Sequence, residues 1–489
     1  MCAFLLSGVA VLSCLALLWL LQKRASQSSL PPGPLGVPLL GFLPWLDPVQ
    51  PYKSLTRLVS RYGPVFSVRL GSVPCVVLAD NNIIREVFSR DEVSGRPPLY
   101  LFSWLLENSG IIFSEADTWR EQRRFAGAVM RDLGLTGAGL GDWLTRTVEE
   151  MVELYRGEEG RWVEPGEAMG HVVGNMMNQA IFSVRYSRED VKWKEMQTIA
   201  KDGAEKMGSL AAVNFLPWLR FLPTMKNSLK FIKHTQEVQF AQYEKLTKQR
   251  EKYLDDGNPP ECFTDFYLEE VRKRGERIGS FTRRQMYFFQ GDMFGAGTET
   301  STHTILFAMM FLASDQFREL QTRIQADIEA ECGDDPPTLD HKLTLLRATV
   351  MEVQRLRPVT PQGIPHGVLS PVRVQDWVLP AGTMVMPLQW ATNMDPKVWP
   401  QPEEFRPQRF LDSEGQLRSD RIIYPFQVGK RRCIGEQLGK ALTLLTLARL
   451  MQEFTVELEP GCDIWAVPVH GFTLAPAKYR VKLTSRNRM

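Results

Sequence analysis

Cys433 stands in the run Phe426-Gln427-Val428-Gly429-Lys430-Arg431-Arg432-Cys433-Ile434-Gly435. A cysteine that ligates a metal does so as thiolate, and in apolar surroundings that charge needs backbone N–H donors around the sulfur. Gly429 and Gly435, on either side, allow a tight turn and a close approach of main chain to a ligand. The residues from Glu436 to Leu450 read as a helix, and its positive N-terminal end favours a thiolate. A lone cysteine is more often a buried structural residue. The joint spacing of Phe426, two glycines, Arg431 and Cys433 points instead to ligation.

A second candidate is Ala296-Gly297-Thr298-Glu299-Thr300, inside a run of helical periodicity from about 283 to about 313. Glycine costs about 1 kcal/mol relative to alanine in a helix interior, so Gly297 is expected to make room for a ligand against the helix. Thr300 can hydrogen-bond to the carbonyl four residues earlier and bend the helix. On an exposed face, Glu299 and Thr300 would be merely solvated. Glu352 and Arg355, three apart, share one helix face; exposed, such a pair contributes only about 0–1 kcal/mol. Trp119 and Arg123 also fall four apart in a helical stretch.

These groups have to be positioned by a mainly helical chain. Residues 65–79 read as two short strands around a turn at Gly71–Pro74. From about 80 to about 355 helical periodicity prevails. Residues 356–480 are richer in proline and strand formers, with one more helix near 434–454. The fold class expected is mainly α with small β-sheets (α+β). From Cys2 to Leu21 no side chain is charged, and Lys23 and Arg24 follow at once. That length spans roughly 30 Å as a helix, and the flanking charges place the remainder on the cytosolic side. Residues 1–24 are therefore expected as a signal-anchor transmembrane helix and 25–49, rich in Pro and Gly, as a stiff linker. The catalytic domain is then 50–489.

With 58 basic and 56 acidic residues in 489, the net charge is +2, which argues against nucleic acid as a partner. A mean hydropathy of −0.19 excludes a polytopic membrane protein. The seven cysteines are scattered without zinc-like pairs, so neither a disulfide scaffold nor a zinc array is indicated.

The motif Phe-x-x-Gly-x-Arg-x-Cys-x-Gly, met at every fixed position, resembles that of the cytochrome P450 family, and the resemblance extends over nearly the whole chain. It implies the cytochrome P450 fold, heme b as cofactor with Cys433 as iron ligand, and monooxygenase activity. It implies a dioxygen groove at Ala296 and Gly297, with Glu299 and Thr300 relaying protons, which is general acid catalysis. Phe426 belongs to the heme-binding motif. Arg96, Trp119, Arg123, His366 and Arg431 match the family's donors to two heme propionates; carboxylates in an apolar cavity need such partners. Glu352, Arg355 and Arg409 match a buried structural triad, with Gln408 where glutamate is commoner. Gly439 replaces a commoner alanine, for which only local packing is expected to change.

No dinucleotide fingerprint is present: Gly137-Ala-Gly139-Leu-Gly141 has the wrong spacing and follows a helical stretch. The resemblance supplies NADPH-cytochrome reductase as electron donor, with cytochrome b5 as a second one. Lys430, Arg431, Arg432, Arg120, Arg124 and Lys440 offer a basic docking face. It also implies an endoplasmic reticulum membrane location, single-pass, with the catalytic domain cytoplasmic. Aromatic segments, among them Tyr100–Trp104, Asn214–Leu219, Phe289, Met293, Phe294, Val359–Ile364 and Phe472, are expected to line a pocket for an apolar small molecule, admitted with O2. Gly95–Leu101, Val213–Arg220 and Pro361–Gly367 are similar to arthropod ecdysteroid hydroxylases, which implies steroid side-chain hydroxylation. The alternatives are a broad xenobiotic or fatty-acid hydroxylase, a heme-thiolate isomerase or gas sensor, and a non-enzymatic binding protein.

Overall fold

The computed structural model describes residues 30–486 apart from 276–278 and 472. The expected anchor at 1–24 and the pocket candidate Phe472 lie outside the described residues. No helix among the described residues is long and apolar enough to cross a membrane.

β1 (Val65–Leu70) and β2 (Val73–Leu78) form an antiparallel pair, as their alternating and β-branched residues require. Helices follow as far as Leu356. Those that frame the site are α1 (Ala116–Asp132), α2 (Pro165–Phe182), α3 (Arg283–Ala313) and α4 (Thr344–Leu356). β3 (His366–Gly367) and β4 (Met384–Pro387) complete a four-stranded sheet in the order β1-β2-β4-β3, with β2 and β4 parallel. After α5 (Glu436–Glu453) comes a small hairpin of β5 (Val469–His470) and β6 (Leu474–Ala475). The chain is mainly helical with small sheets.

α3 is 31 residues long, about 46 Å at 1.5 Å per residue. The Thr282 hydroxyl caps it by accepting the Gln285 N–H at 3.1 Å, which satisfies one of the free donors of the first turn. From Ser301 to Ala313 nearly every residue is buried, so this half has no polar face. It packs with α2, α4 and α5 in the largest apolar cluster.

The proline-rich stretch does not stand off as a spacer from residue 31 onward. It lies along β1, the edge strand. The Pro31 carbonyl accepts the Ser67 hydroxyl at 2.7 Å and the Pro32 carbonyl the Ser67 N–H at 3.0 Å. Gly41 bridges to Leu70. Proline lacks a donor but keeps its carbonyl, so this segment can satisfy the donors of an otherwise open sheet edge. Gly33 fits there for lack of a side chain, since a Cβ would lie 1.7 Å from the Ser67 carbonyl oxygen.

Glu352 and Arg355 on α4 are both fully buried. Arg355 donates to Glu352 through Nε at 2.7 Å and Nη2 at 2.9 Å. Arg409 Nε and the Arg406 N–H, at 2.9 and 2.8 Å, both reach Glu352 Oε1. Arg355 also donates to the Asn393 and Glu404 carbonyls. One carboxylate thereby ties α4 to two irregular segments on the chain's way to Cys433. Arg355→Met is expected to cost about 3–5 kcal/mol by leaving Glu352 short of its main counter-charge. Urea unfolding checks this; a loss below about 1 kcal/mol would equate the pair with an exposed one.

Candidate active site

The Cys433 loop is shaped by close backbone contacts. The Cys433 N–H donates to the Phe426 carbonyl at 2.9 Å, and the Lys430 N–H to the Phe88 carbonyl at 3.1 Å. Gly429 has φ +78°, and a Cβ there would meet the Phe88 oxygen at 2.0 Å, so only glycine fits. α5 starts at Glu436 with Gly435 at its N-cap. Burial pushes the Cys433 thiol up; the Gly435 N–H and the Arg123 charge pull it back. Arg123, on α1, donates to the Arg432 carbonyl at 2.6 Å. Cys433 lies deep, yet its side chain is uncovered. It faces an internal space.

Three groups crowd positive charge nearby. Arg431 donates to the carbonyls of Ser94 (2.7 Å), Ser114 (2.5 Å) and Ile111 (3.4 Å), and its guanidinium lies 4.2 Å from the Trp119 ring centre. Arg96 donates to the Ile112 carbonyl at 2.6 Å and the Pro365 carbonyl at 3.0 Å. No carboxylate pairs with either guanidinium among the described residues. Burial holds Arg96 down to about 10, and burial with the neighbouring Arg96 charge holds Arg431 down to about 8. The Glu115 charge offsets part of this on Arg431, where Arg123 adds a lesser repulsion, and Asp292 and Glu115 offset part of it on Arg96. His366, fully buried, stacks on Phe88 at 3.8 Å, and its Nδ1 lies 2.8 Å from the Val93 carbonyl. A carbonyl only accepts, so Nδ1 carries the hydrogen and Nε2 is bare; among the described residues only the Gln427 side chain acts on it, from beyond direct hydrogen-bond distance. Burial and then the two arginine charges hold this ring well below its ordinary pKa.

α3 supplies the opposite wall. Although the helix is largely buried over 285–290 and 301–313, Ala296 between them is exposed, so it too faces an internal space. Gly439 on α5 lies between Phe426 and Ser301: a Cβ there would be 3.2 Å from the Phe426 ring and 4.0 Å from Ser301 Oγ. The thiolate loop and α3 therefore approach each other here, and glycine admits the Phe426 ring. Thr300 Oγ1 donates to the Ala296 carbonyl at 2.6 Å. Burial pushes the Glu299 carboxyl up, and the Thr473 hydroxyl, donating at 3.4 Å, pulls it back.

A family model for cytochrome P450 matches residues 31–483. The chain belongs to the cytochrome P450 family. Cytochrome P450 306a1 of Drosophila melanogaster is 32% identical, over 96% of this chain and 92% of the relative. Cytochrome P450 2U1 of Rattus norvegicus is also 32% identical, over 99% and 95%. Cytochrome P450 18a1 of Drosophila melanogaster is 29% identical, over 96% and 89%. Members of this family are heme-thiolate monooxygenases whose iron is held by a cysteine.

The residues of this P450 fit that group. A buried but uncovered thiol suits an iron ligand. Two arginines with no ion-paired carboxylate among the described residues, and a buried histidine beside them, suit the two propionates. Ala296 leaves the facing helix bare.

Gly297 does not make that room. A Cβ at Gly297 would lie 2.6 Å from Met177 Sδ on α2. One residue advances a helix by about 100°, so Gly297 turns away from the face that Ala296 presents and lets α2 pack closely. Phe289 is likewise core, its ring tilted against Phe263 at 4.7 Å between ring centres. Three other polar residues did not stand out in the sequence. Asp292 accepts the Ile111 and Ile112 N–H groups at 2.7 and 2.8 Å, fixing the segment whose carbonyls hold Arg96 and Arg431. Thr473 adjoins Glu299, and His303 adjoins Thr473. His303 lies four residues after Glu299, a helical spacing that marks a shared face.

Gly297→Val is expected to cost about 1–3 kcal/mol by overpacking, and Met177→Ala, which empties that space, to recover most of it in a double-mutant cycle. If the cost persists undiminished, Met177 is not the obstacle. Burial pushes Asp292 up to about 7 from 3.8. The native state thus holds this proton more tightly than the unfolded chain, so stability falls as pH rises from about 4 to about 7 and stays low above. Asp292→Asn keeps an oxygen for both N–H groups, and should gain on the wild type by up to a few kcal/mol between about pH 5 and about pH 8. A constant difference across thermal unfolding curves in that range would refute the raised pKa.

Proposed function

We propose that this P450 hydroxylates an apolar steroid, with ecdysteroid side-chain hydroxylation as the specific reaction and electrons drawn from NADPH through a separate reductase. The bare face of α3 at Ala296, with Thr300 one turn on and Glu299 beside it, carries this reading. Separate apolar segments expected for the pocket are joined to one another. The Leu101 N–H donates to Asn214 Oδ1 at 2.9 Å, joining 100–104 to 210–219. The Leu474 N–H donates to the Val359 carbonyl at 2.8 Å. Steroid chemistry is supported by the likeness of Gly95–Leu101, Val213–Arg220 and Pro361–Gly367 to arthropod ecdysteroid hydroxylases.

Bound heme would supply the iron on which dioxygen is activated. Cys433 would hold the iron, its charge steadied by the Gly435 N–H and Arg123. Arg96, Arg431 and His366 would take the propionates, and a carboxylate there favours protonation of His366 Nε2. Thr300 keeps its hydroxyl at the Ala296 carbonyl, on the bare face. Glu299, with its pKa raised by burial, is the better proton donor for it.

The reductase reading draws on the surface beside Cys433. Arg120, Lys430 and Lys440 are each matched to an acid, Asp117, Asp91 and Glu436. Arg124 and Arg432 have no ion pair among the described residues, and they mark the docking face for an acidic flavoprotein. Anchoring in the endoplasmic reticulum membrane through residues 1–24, with the catalytic body cytoplasmic, completes the proposal.

The test joins the anchored protein, a P450 reductase and NADPH with a panel of steroids, fatty acids and drug-like molecules, followed by mass spectrometry. A hydroxylated ecdysteroid is expected, together with the red-shifted carbon monoxide band of thiolate-ligated reduced heme. Thr300→Ala should raise peroxide released per product on the order of tenfold. Turnover of fatty acids or drug-like molecules alone would overturn the steroid assignment, and unchanged coupling in Thr300→Ala would remove it from proton delivery.

A further inference from the structure

Among the described residues Glu299 has one hydrogen-bond partner, and it is Thr473. Thr300 bonds elsewhere, to the Ala296 carbonyl. The acid and the alcohol therefore face different groups.

Thr473 has a second neighbour: its Oγ1 lies 3.0 Å from His303 Nδ1. His303 is one helical turn beyond Glu299 on α3, so both side chains meet the same hydroxyl. That hydroxyl is well placed to stay put. Thr473 is only 6% exposed, its carbonyl accepts the Gly471 N–H at 3.1 Å, and the next residue is bonded to Val359. Neither Glu299 nor His303 takes part in an ion pair among the described residues. Burial pushes His303 down to about 4, and the Leu474 main chain, which takes a hydrogen bond from the ring, offsets this in part. The ring is neutral near pH 7, with one N–H and one bare nitrogen. With the N–H on Nε2, Nδ1 is the bare nitrogen and can accept from Thr473.

A hydroxyl has a single hydrogen to give. Thr473 can give it to the Glu299 carboxylate or to His303 Nδ1, not to both. When Glu299 is ionised, Thr473 donates to it. When Glu299 is protonated, its own O–H can donate to Thr473, which is then free to donate to His303. We propose that Thr473 and His303 are positioning residues that hold the Glu299 carboxyl against the β5–β6 hairpin and set its proton affinity in opposite directions, Thr473 favouring the carboxylate and His303 the acid. The proposal rests on the reading of Glu299 as proton donor to Thr300. His303 then keeps Glu299 supplied with the proton that Thr300 passes on, and does so only through Thr473.

Infrared difference spectroscopy of the heme-loaded protein reads this directly, through the carbonyl stretch of the protonated Glu299 carboxyl, assigned by its loss in Glu299→Gln. Thr473→Val is expected to move the titration midpoint of that band to higher pH, and Thr473→Ser to restore it. His303→Phe should move it to lower pH, and in the Thr473→Val background should have no further effect. An unmoved midpoint in Thr473→Val overturns the chain, as does a His303→Phe shift that persists without the hydroxyl. The peroxide-to-product ratio of Glu299→Gln tests the underlying reading separately: a rise supports it, and an unchanged ratio overturns it whatever the infrared midpoints show.

Discussion

A thiol kept deep in a protein but bare on one side needs walls that do not collapse onto it. Apolar interiors close over empty space wherever side chains can move, because each lost contact costs dispersion energy. Around Cys433 the walls are mostly main chain held by hydrogen bonds. Gly429 presses on the Phe88 carbonyl with no room for a side chain. Arg431 clasps three carbonyls from the 94–114 region. Asp292 pins that region to α3, and the Glu352 carboxylate ties α4 to the segments that precede the thiolate loop. The rest of the architecture depends on this rigidity.

The same clasps set the electrostatics. Arginine is the side chain that can hold several carbonyls at once through a planar fork, but it brings a charge that cannot be neutralised cheaply. With Arg96 and Arg431 side by side the local field is positive. His366 is kept neutral by it, and the carbonyls take up part of it. A group with two carboxylates therefore finds its partners already in place. Across the space the sign reverses: Glu299 has only a hydroxyl beside it, so burial favours its acid form. One wall invites negative charge and the other stores a proton.

What the sequence disclosed follows the range of each interaction. The Cys433 loop, the two strands at 65–79 and the helix over 283–313 rest on neighbours a few residues apart, and they were legible. The helix carried a misleading cue: Gly297 reads as space, but what fills it is Met177, from a different helix. The proline-rich segment looks like a spacer because its composition cannot show that its carbonyls meet Ser67. Thr473 is 170 residues from His303, and nothing in either stretch announces that they meet. Asp292 sat in plain view on α3, but its role belongs to the loop at 110–112.

α3 shows why one helix can do so much. Its residues advance about 100° each, so neighbours in sequence look in different directions and only residues about a turn apart share a face. Ala296 faces the bare space, Gly297 faces α2, Glu299 faces the hairpin, and Thr300 returns one turn to the Ala296 carbonyl. From Ile305 to Ala313, every direction is core. The buried half anchors the helix so firmly that its middle can stay uncovered, and the thresholds between these faces are single residues. A shift of register by one would place a threonine at the acid's position and a side chain against Met177, where glycine now sits. Order along the helix is thus what separates proton donor, bare surface and packing contact, and the all-round apolar stretch from Ile305 to Ala313 is what fixes that order in space.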